Sequence, residues 1–280
     1  MAVEFSRNIT FGQYLDLGSP IHRLDPRAKQ LATGALMLAV LLTRTFGGVA
    51  VVFVAALLIQ RLSRVPLAYL LRGMRALVFT MLVIAAFQIL FYPATPEEAL
   101  WRWGVLSLSW AGVLQALLTF CRVVLLYYLV NTLLFVTPLM DLADGTEIML
   151  EPLKRLRVPV NELVMTMVVA LKFVPLLVAE LERLVKAQAA RGVRFDQGGP
   201  LVRARRLGAV LIPLFVGALS RAEVLTIAME ARCYRGGAPA GAPPRTKRRT
   251  LTFRRADMAA LALAFAFAAA AVTVSRGLGI

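Results

Sequence analysis

The chain has 280 residues, of which 59% are hydrophobic, and its mean hydropathy is +0.71. This composition excludes an ordinary soluble domain and indicates a membrane protein. The net charge of +16 is typical of nucleic-acid-binding proteins, but the charges are distributed as in a membrane protein, so no nucleic acid is expected as a partner. Cys121 and Cys233 lie far apart in dissimilar surroundings, which argues against a disulfide framework or a metal site.

Five apolar segments are predicted to cross the bilayer. The first two are short for a span of about 20 residues, and the last is rich in alanine. Because small residues let helices approach closely in lipid, the first and last spans are predicted to provide packing faces. The five spans run approximately over residues 28–42, 46–60, 74–92, 105–139 and 256–275.

The distribution of Lys and Arg orients these spans. Of the 32, four lie in the N-terminal segment, four in the loop after the second span and twenty between Asp141 and Arg255. The positive-inside rule therefore places the N-terminus in the cytoplasm and, with five spans, the C-terminus outside the cell membrane. The predicted domains are a cytoplasmic N-terminal segment (1–27), transmembrane helices one to four (28–139), a cytoplasmic helical region (140–235), a basic linker rich in Gly and Pro (236–255) and a final transmembrane helix (256–280).

The predicted cytoplasmic region contains long apolar stretches that nevertheless carry many charges. Charges at this density are costly next to lipid, which favours amphipathic helices outside the bilayer. In the alternative, residues 163–178 and 207–219 are true spans, which leaves both termini on the same sides. Pro175 and Pro213 interrupt the two long helix patterns. Three helices are predicted here, over about 138–157, 161–190 and 200–234.

A short sequence motif, Ala-Arg followed by a small residue, occurs twice in this region, once at the end of each long helix. Ala190-Arg191-Gly192 closes one helix, and Ala231-Arg232-Cys233 closes the other. The internal proline precedes the arginine by 16 residues in one copy and by 19 in the other, a difference of about one helical turn. A single arginine here would simply complement the helix dipole. Two copies predict arginines presented side by side, suited to two equivalent sites on a dimeric partner.

The sequence holds few groups suited to catalysis. It contains no Walker A, GxGxxG, HExxH or GxSxG motif, so ATP binding by the Walker route is not expected. His22 is the only histidine and is interpreted as a cap or packing residue. Arg122, within the fourth span, is predicted to face protein or water. One helix face is interpreted as solvated and dipole-stabilised rather than cation-binding, and it carries Asp141, Asp144, Glu147 and Glu151.

The sequence resembles the transmembrane T component (EcfT/CbiQ family) of energy-coupling factor (ECF) transporters. The resemblance covers most of the chain and rests on Gly12-Gln13-Tyr14 through His22-Arg23-Leu24-Asp25-Pro26-Arg27, Thr137-Pro138-Leu139-Met140-Asp141-Leu142, Leu156-Arg157-Val158-Pro159 and the two Ala-Arg-small motifs. The fold expected is an all-α membrane protein with about five transmembrane helices and a cytoplasmic coupling domain of three helices. The implied partners are two ABC ATPase subunits, as a homo- or heterodimer, a substrate-binding membrane S component and the lipid bilayer.

The resemblance implies a non-enzymatic coupling subunit of an importer for vitamins or other micronutrients, with no cofactor. ATP hydrolysis is then expected on the partner ATPases. The Gly/Pro-rich linker departs from the family pattern, and the form of the second motif is closer to the shared, vitamin-type T components. Alternatives are a T component dedicated to cobalt or nickel, an integral-membrane enzyme and a secondary transporter. The ATPase contacts implied are Ala190, Arg191, Gly192, Ala231, Arg232 and Cys233, and the candidate hinges are Pro175 and Pro213.

Overall fold

A computed structural model describes residues 14–15, 17–66, 74–91, 99–103, 106–152, 160–193, 195, 199–234 and 253–277. These residues divide into two compact units, one holding residues 14–145 and 253–277 and the other holding 146–234. The elements are α1 (Pro26–Leu42), α2 (Phe46–Ser63), α3 (Met74–Leu90), β1 (Ala99–Trp103), β2 (Leu106–Ser109), α4 (Trp110–Val136), α5 (Leu139–Met149), α6 (Val160–Ala190), α7 (Pro200–Ala231) and α8 (Arg255–Gly277).

Local sequence signals explain where the helices of the first unit begin. The Asp25 carboxylate accepts a hydrogen bond from the Arg27 amide at 2.9 Å, and Pro26 occupies the first turn of α1, where no amide donor is needed. Thr45 caps α2 through the Gly48 amide, and Ser109 caps α4 through the Gly112 amide at 3.0 Å. Short polar side chains thus set the start of each of these three helices.

The core of this unit lies among α1, α2, α4 and α8. Gly48 allows α2 to approach α8 closely, because a β-carbon built there would lie 2.9 Å from the Ala271 carbonyl oxygen and 2.7 Å from the Thr43 methyl carbon. Helices α1 and α8 pack against each other, which agrees with the packing faces predicted from their small residues. The most buried core side chains include Leu36, Val40, Val52, Leu129 and Ala271.

Two polar contacts tie α8 to the hairpin formed by α1 and α2. At one end, the carboxylate of Asp257 accepts hydrogen bonds from the Asp25 and Arg254 amides, both at 2.7 Å. At the other end, the Arg44 amide donates to the Ser275 hydroxyl at 2.8 Å. Since the start of α8 meets the start of α1, and the end of α8 meets the end of α1, the two helices run parallel.

The class predicted from the sequence, an all-α membrane protein, is confirmed, with one local difference. The fourth span was predicted from residue 105, but α4 begins at Trp110. Residues Leu106–Ser109 instead form β2, which pairs antiparallel with β1. The hairpin satisfies the backbone groups of this segment between strands, so the helix begins only after the Ser109 cap.

Five helices of the described chain are long and apolar enough to cross a membrane: α2, α4, α6, α7 (from Leu201) and α8. Three of these were predicted as spans, whereas α6 and α7 were predicted to be cytoplasmic. The described parts of the first and third predicted spans, α1 and α3, have 17 residues each, the lower end of the usual range. Length and hydropathy alone therefore do not distinguish the predicted membrane spans from α6 and α7, which were predicted to be cytoplasmic.

Candidate functional site

The two arginine motifs lie where the sequence predicts helix ends. Helix α6 ends at Ala190 and α7 ends at Ala231, so Arg191 and Arg232 each follow the last helical residue. Both arginines are exposed to solvent. Neither forms an ion pair or a side-chain hydrogen bond with another residue that the structure describes. Each guanidinium therefore keeps its donors for an external acceptor.

The backbone closes both helices in the same way. After α6, the Val193 amide donates to the Gln188 carbonyl and the Gly192 amide to the Ala189 carbonyl, both at 3.0 Å. After α7, the Tyr234 amide donates to the Met229 carbonyl at 3.0 Å, and the next bond, from Cys233 to Glu230, measures 2.8 Å. These paired bonds are the Schellman motif, with the arginine as the C-cap.

The residue after each arginine adopts the left-handed conformation that this motif requires. The φ angle is +91° at Gly192 and +56° at Cys233. Glycine is the residue expected there, and the sequence gives no signal that Cys233 adopts the same conformation. Backbone geometry thus explains the glycine of the first motif, whereas Cys233 adopts the same conformation with a β-carbon, and both motifs present arginine from the same kind of turn.

The arrangement of α6 and α7 corrects the prediction that the two arginines lie side by side. The Arg221 guanidinium contacts the Glu180 carboxylate at 2.9 Å, and the Gln188 side-chain amide lies 3.5 Å from the Ala209 carbonyl oxygen. From the first contact to the second, the residue number rises in α6 and falls in α7, so the two helices are antiparallel. Arg232 lies 23 residues beyond Ala209, about 34 Å of helix, so the arginines lie toward opposite ends of the pair.

Both internal prolines lie within continuous helices. A proline has no amide hydrogen, so it leaves the carbonyl four residues earlier without its usual donor. For Pro213 this carbonyl belongs to Ala209, the one that the Gln188 amide approaches. Gln188 lies two residues before the first arginine motif and contacts the weakened turn of the neighbouring helix. The sequence alone does not reveal this contact.

An open apolar cavity of about 510 Å³ lies between the helices next to Pro213. Leu177 of α6 lines one side, and residues around Pro213 line the other. Several α7 side chains are strongly exposed, including Ile212 at 67% and Phe215 at 66%. Exposed apolar area of this extent marks a surface for lipid or another protein chain.

Other candidate residues have local roles. The Ser19 hydroxyl lies 2.6 Å from Nδ1 of His22, and Nε2 of His22 lies 2.7 Å from the Leu15 carbonyl oxygen. Both contacts are local, which agrees with the capping or packing role predicted for His22. Within the described residues, no group of three His, Cys, Asp or Glu side chains could hold a metal ion.

Comparisons with known proteins place these features in a family. The family model described as "Cobalt transport protein" (CbiQ) matches residues 18–242, which include both motifs. The chain belongs to the CbiQ/EcfT family. A protein named energy-coupling factor transporter transmembrane protein EcfT from Thermanaerovibrio acidaminovorans is 39% identical over 99% of this chain and 100% of its own length.

Two further relatives carry the same EcfT name. The protein from Heliobacterium modesticaldum is 38% identical over 90% of this chain and 92% of its own length. The protein from Ruminiclostridium cellulolyticum is 36% identical over 90% of this chain and 91% of its own length. This EcfT-family chain is therefore similar to transporter membrane proteins over nearly its whole length, and the similarity is not confined to the motifs.

Proposed function

We propose that this protein is the non-enzymatic coupling subunit of an ATP-driven importer, and that Arg191 and Arg232 each contact one subunit of a pair of ABC ATPases. The observation that carries the proposal is the recurrence of one structure: an exposed arginine at a Schellman-capped helix end, present twice, toward opposite ends of one helix pair. Two separated and equivalent contacts fit a partner that is itself a dimer. The guanidinium fork suits carboxylates on that partner.

Movement of the ATPases would pass through α6 and α7. The Glu180–Arg221 ion pair and the Gln188–Ala209 contact join the two helices, so displacing one helix end moves the other helix. Pro175 and Pro213 each remove an intrahelical hydrogen bond, which makes these turns the candidate hinges. The exposed apolar side chains of α7 offer a surface through which movement reaches a membrane-embedded S component.

We place the protein in the cell membrane with its N-terminus in the cytoplasm and its C-terminus outside. The parallel packing of α1 and α8 supports this orientation, because both helices begin at the same end of the bundle. Basic residues precede or open both of them, in agreement with the positive-inside rule.

Co-purification tests the assembly. Arg191→Glu and Arg232→Glu, combined in one chain expressed with the ATPases and the S component, should lower the amount of ATPase retained at least tenfold, since each lost charged contact contributes about 1.5–3 kcal/mol. Lys172→Glu with Arg205→Glu is the matched control, with the same charge change at exposed positions of the same helices. Full ATPase retention by the first variant, or equal loss in the control, would contradict the proposal.

We propose uptake of a vitamin or related micronutrient, the substrate class that the resemblance of the second motif to shared T components implies. The relatives that match over most of their length carry the EcfT name, which states no substrate. The description of the family model favours a second candidate, a T component dedicated to cobalt or its chemical neighbour nickel. The co-purifying membrane partner decides between them. A partner that binds an organic micronutrient supports the first candidate, and one that binds Co²⁺ or Ni²⁺ supports the second.

A further inference from the structure

A basic cavity of about 500 Å³ opens at the end of the membrane unit where α1 and α8 begin. Three arginines from different parts of the chain line it. Arg23 lies in the turn before α1, Arg64 follows α2, and Arg254 directly precedes α8. The cavity thus gathers cations that are separated by up to 231 positions in the sequence, which local sequence patterns do not predict.

The three guanidinium groups have no anionic partner among the described residues. All three residues are exposed, and none forms an ion pair there. The acidic residue of the cavity, Asp257, is 1% exposed. Its two carboxylate oxygens accept hydrogen bonds from the backbone amides of Asp25 and Arg254. One buried carboxylate and three exposed guanidiniums leave the cavity with an excess of positive charge.

A second cavity adjoins the basic one and has the opposite character. It measures about 390 Å³ and lies among mostly apolar side chains of α1, α2, α4 and α8, with the buried Lys29 as the charged residue of its lining. Leu24 lines both cavities. Leu62, two residues before Arg64, and Ala260, three residues after Asp257, line the apolar cavity and place it along the helices. A charged compartment at the bundle end and an apolar compartment inside the bundle are therefore neighbours at Leu24.

We propose that these adjoining cavities bind one anionic phospholipid, with its phosphate among Arg23, Arg64 and Arg254 and an acyl chain in the apolar cavity. Guanidinium groups bind phosphate oxygens through charge-assisted hydrogen bonds. Basic pockets between membrane helices on the cytoplasmic side are suited to lipid headgroups. The apolar cavity distinguishes a lipid from free phosphate, because free phosphate has no group to place there. This site is built from other residues than the arginine motifs, so the proposal does not depend on the proposed ATPase contacts.

Native mass spectrometry of the full chain in detergent tests the proposal. The probes are phosphatidylglycerol, phosphatidylcholine with the same acyl chains, and inorganic phosphate. The chain should retain phosphatidylglycerol at least tenfold better than phosphatidylcholine. Arg23→Gln, Arg64→Gln and Arg254→Gln together should weaken phosphatidylglycerol binding on the order of 100-fold, given about 1 kcal/mol for each charge near an anionic headgroup.

The matched control carries Arg61→Gln, Arg255→Gln and Arg276→Gln, which remove the same charge at exposed positions outside the cavity. The control should retain wild-type binding, and equal loss would overturn the proposal. If the triple cavity variant aggregates on size exclusion, the three single substitutions carry the same test, each with an expected loss of about fivefold.

Ala260→Phe tests the lipid as the source of the phosphate, because its ring would fill the apolar cavity while all three arginines remain. Weaker phosphatidylglycerol binding by this variant, with no competition from inorganic phosphate, supports a lipid site. Wild-type phosphatidylglycerol binding by Ala260→Phe, together with displacement by inorganic phosphate, would assign the basic cavity to free phosphate and overturn the lipid proposal.

Discussion

Replacing Gly192 by alanine should loosen the end of α6, although the new methyl group meets no obstacle. No heavy atom outside the local backbone lies within 4 Å of a β-carbon built at this position, so a steric clash contributes nothing. The penalty comes from φ of +91°, where a β-carbon costs about 1–2 kcal/mol. This energy corresponds to a change of about 5–30-fold in the local opening equilibrium.

Amide hydrogen exchange measures this opening directly. The Val193 amide, which donates to the Gln188 carbonyl, should exchange about 5–30-fold faster in Gly192→Ala. Gly208→Ala is the matched control, because Gly208 lies within α7 and also has open space around its β-carbon position. This substitution should stabilise helix α7 by about 0.5–1 kcal/mol. Cys233→Gly should slow exchange at the Tyr234 amide, since it relieves the left-handed strain in the second motif.

The comparison of amide exchange in Gly192→Ala and Gly208→Ala tests whether α6 ends in a left-handed turn. If Gly192→Ala leaves exchange at Val193 unchanged while Gly208→Ala behaves as expected, the left-handed turn is not required at the end of α6. The argument that backbone geometry requires glycine at the third position of the first motif would then be refuted.

Two further predictions concern contacts away from the arginine motifs. Asp257→Asn should lower the free energy of unfolding by about 1–3 kcal/mol, because the Asp25 and Arg254 amides donate to different carboxylate oxygens and asparagine replaces one of these oxygens with an NH₂ donor. The thermal midpoint of the purified chain should fall, and an unchanged midpoint would contradict the tie between α1 and α8. Arg221→Met should weaken the α6–α7 pair by at most about 1 kcal/mol, because the paired side chains are 32% and 27% exposed. A double-mutant cycle with Glu180→Gln measures this coupling, and a value of zero would show that the ion pair does not join the helices.

Helix ends were the most predictable part of this molecule. Gly192 places the end of α6 correctly, because glycine after the C-cap is the local signature of a Schellman turn, whereas α7 ends at Ala231, three residues before the predicted residue 234. The capping residues Asp25 and Ser109 act within three positions of their own helices, although the fourth span was predicted to begin before Ser109. Local chemistry of this kind can be predicted without knowledge of the tertiary structure.

Contacts between distant segments could not be predicted in the same way. Asp257 and Asp25 are 232 positions apart, and nothing in either local sequence indicates that they meet. The antiparallel packing of α6 and α7 depends on which faces interlock, so the arginines were wrongly predicted to lie together. The β1–β2 hairpin was missed because its apolar residues continue into the pattern of α4.

The most direct measurement of the coupling account follows ATP hydrolysis and substrate uptake together in vesicles that contain this chain, the ATPase pair and the S component. With Arg191→Glu and Arg232→Glu in one chain, uptake per ATP hydrolysed should fall at least tenfold, while the Lys172→Glu and Arg205→Glu control keeps the wild-type ratio. An unchanged ratio in the double arginine variant would contradict the account, because transport would then proceed without the two helix ends.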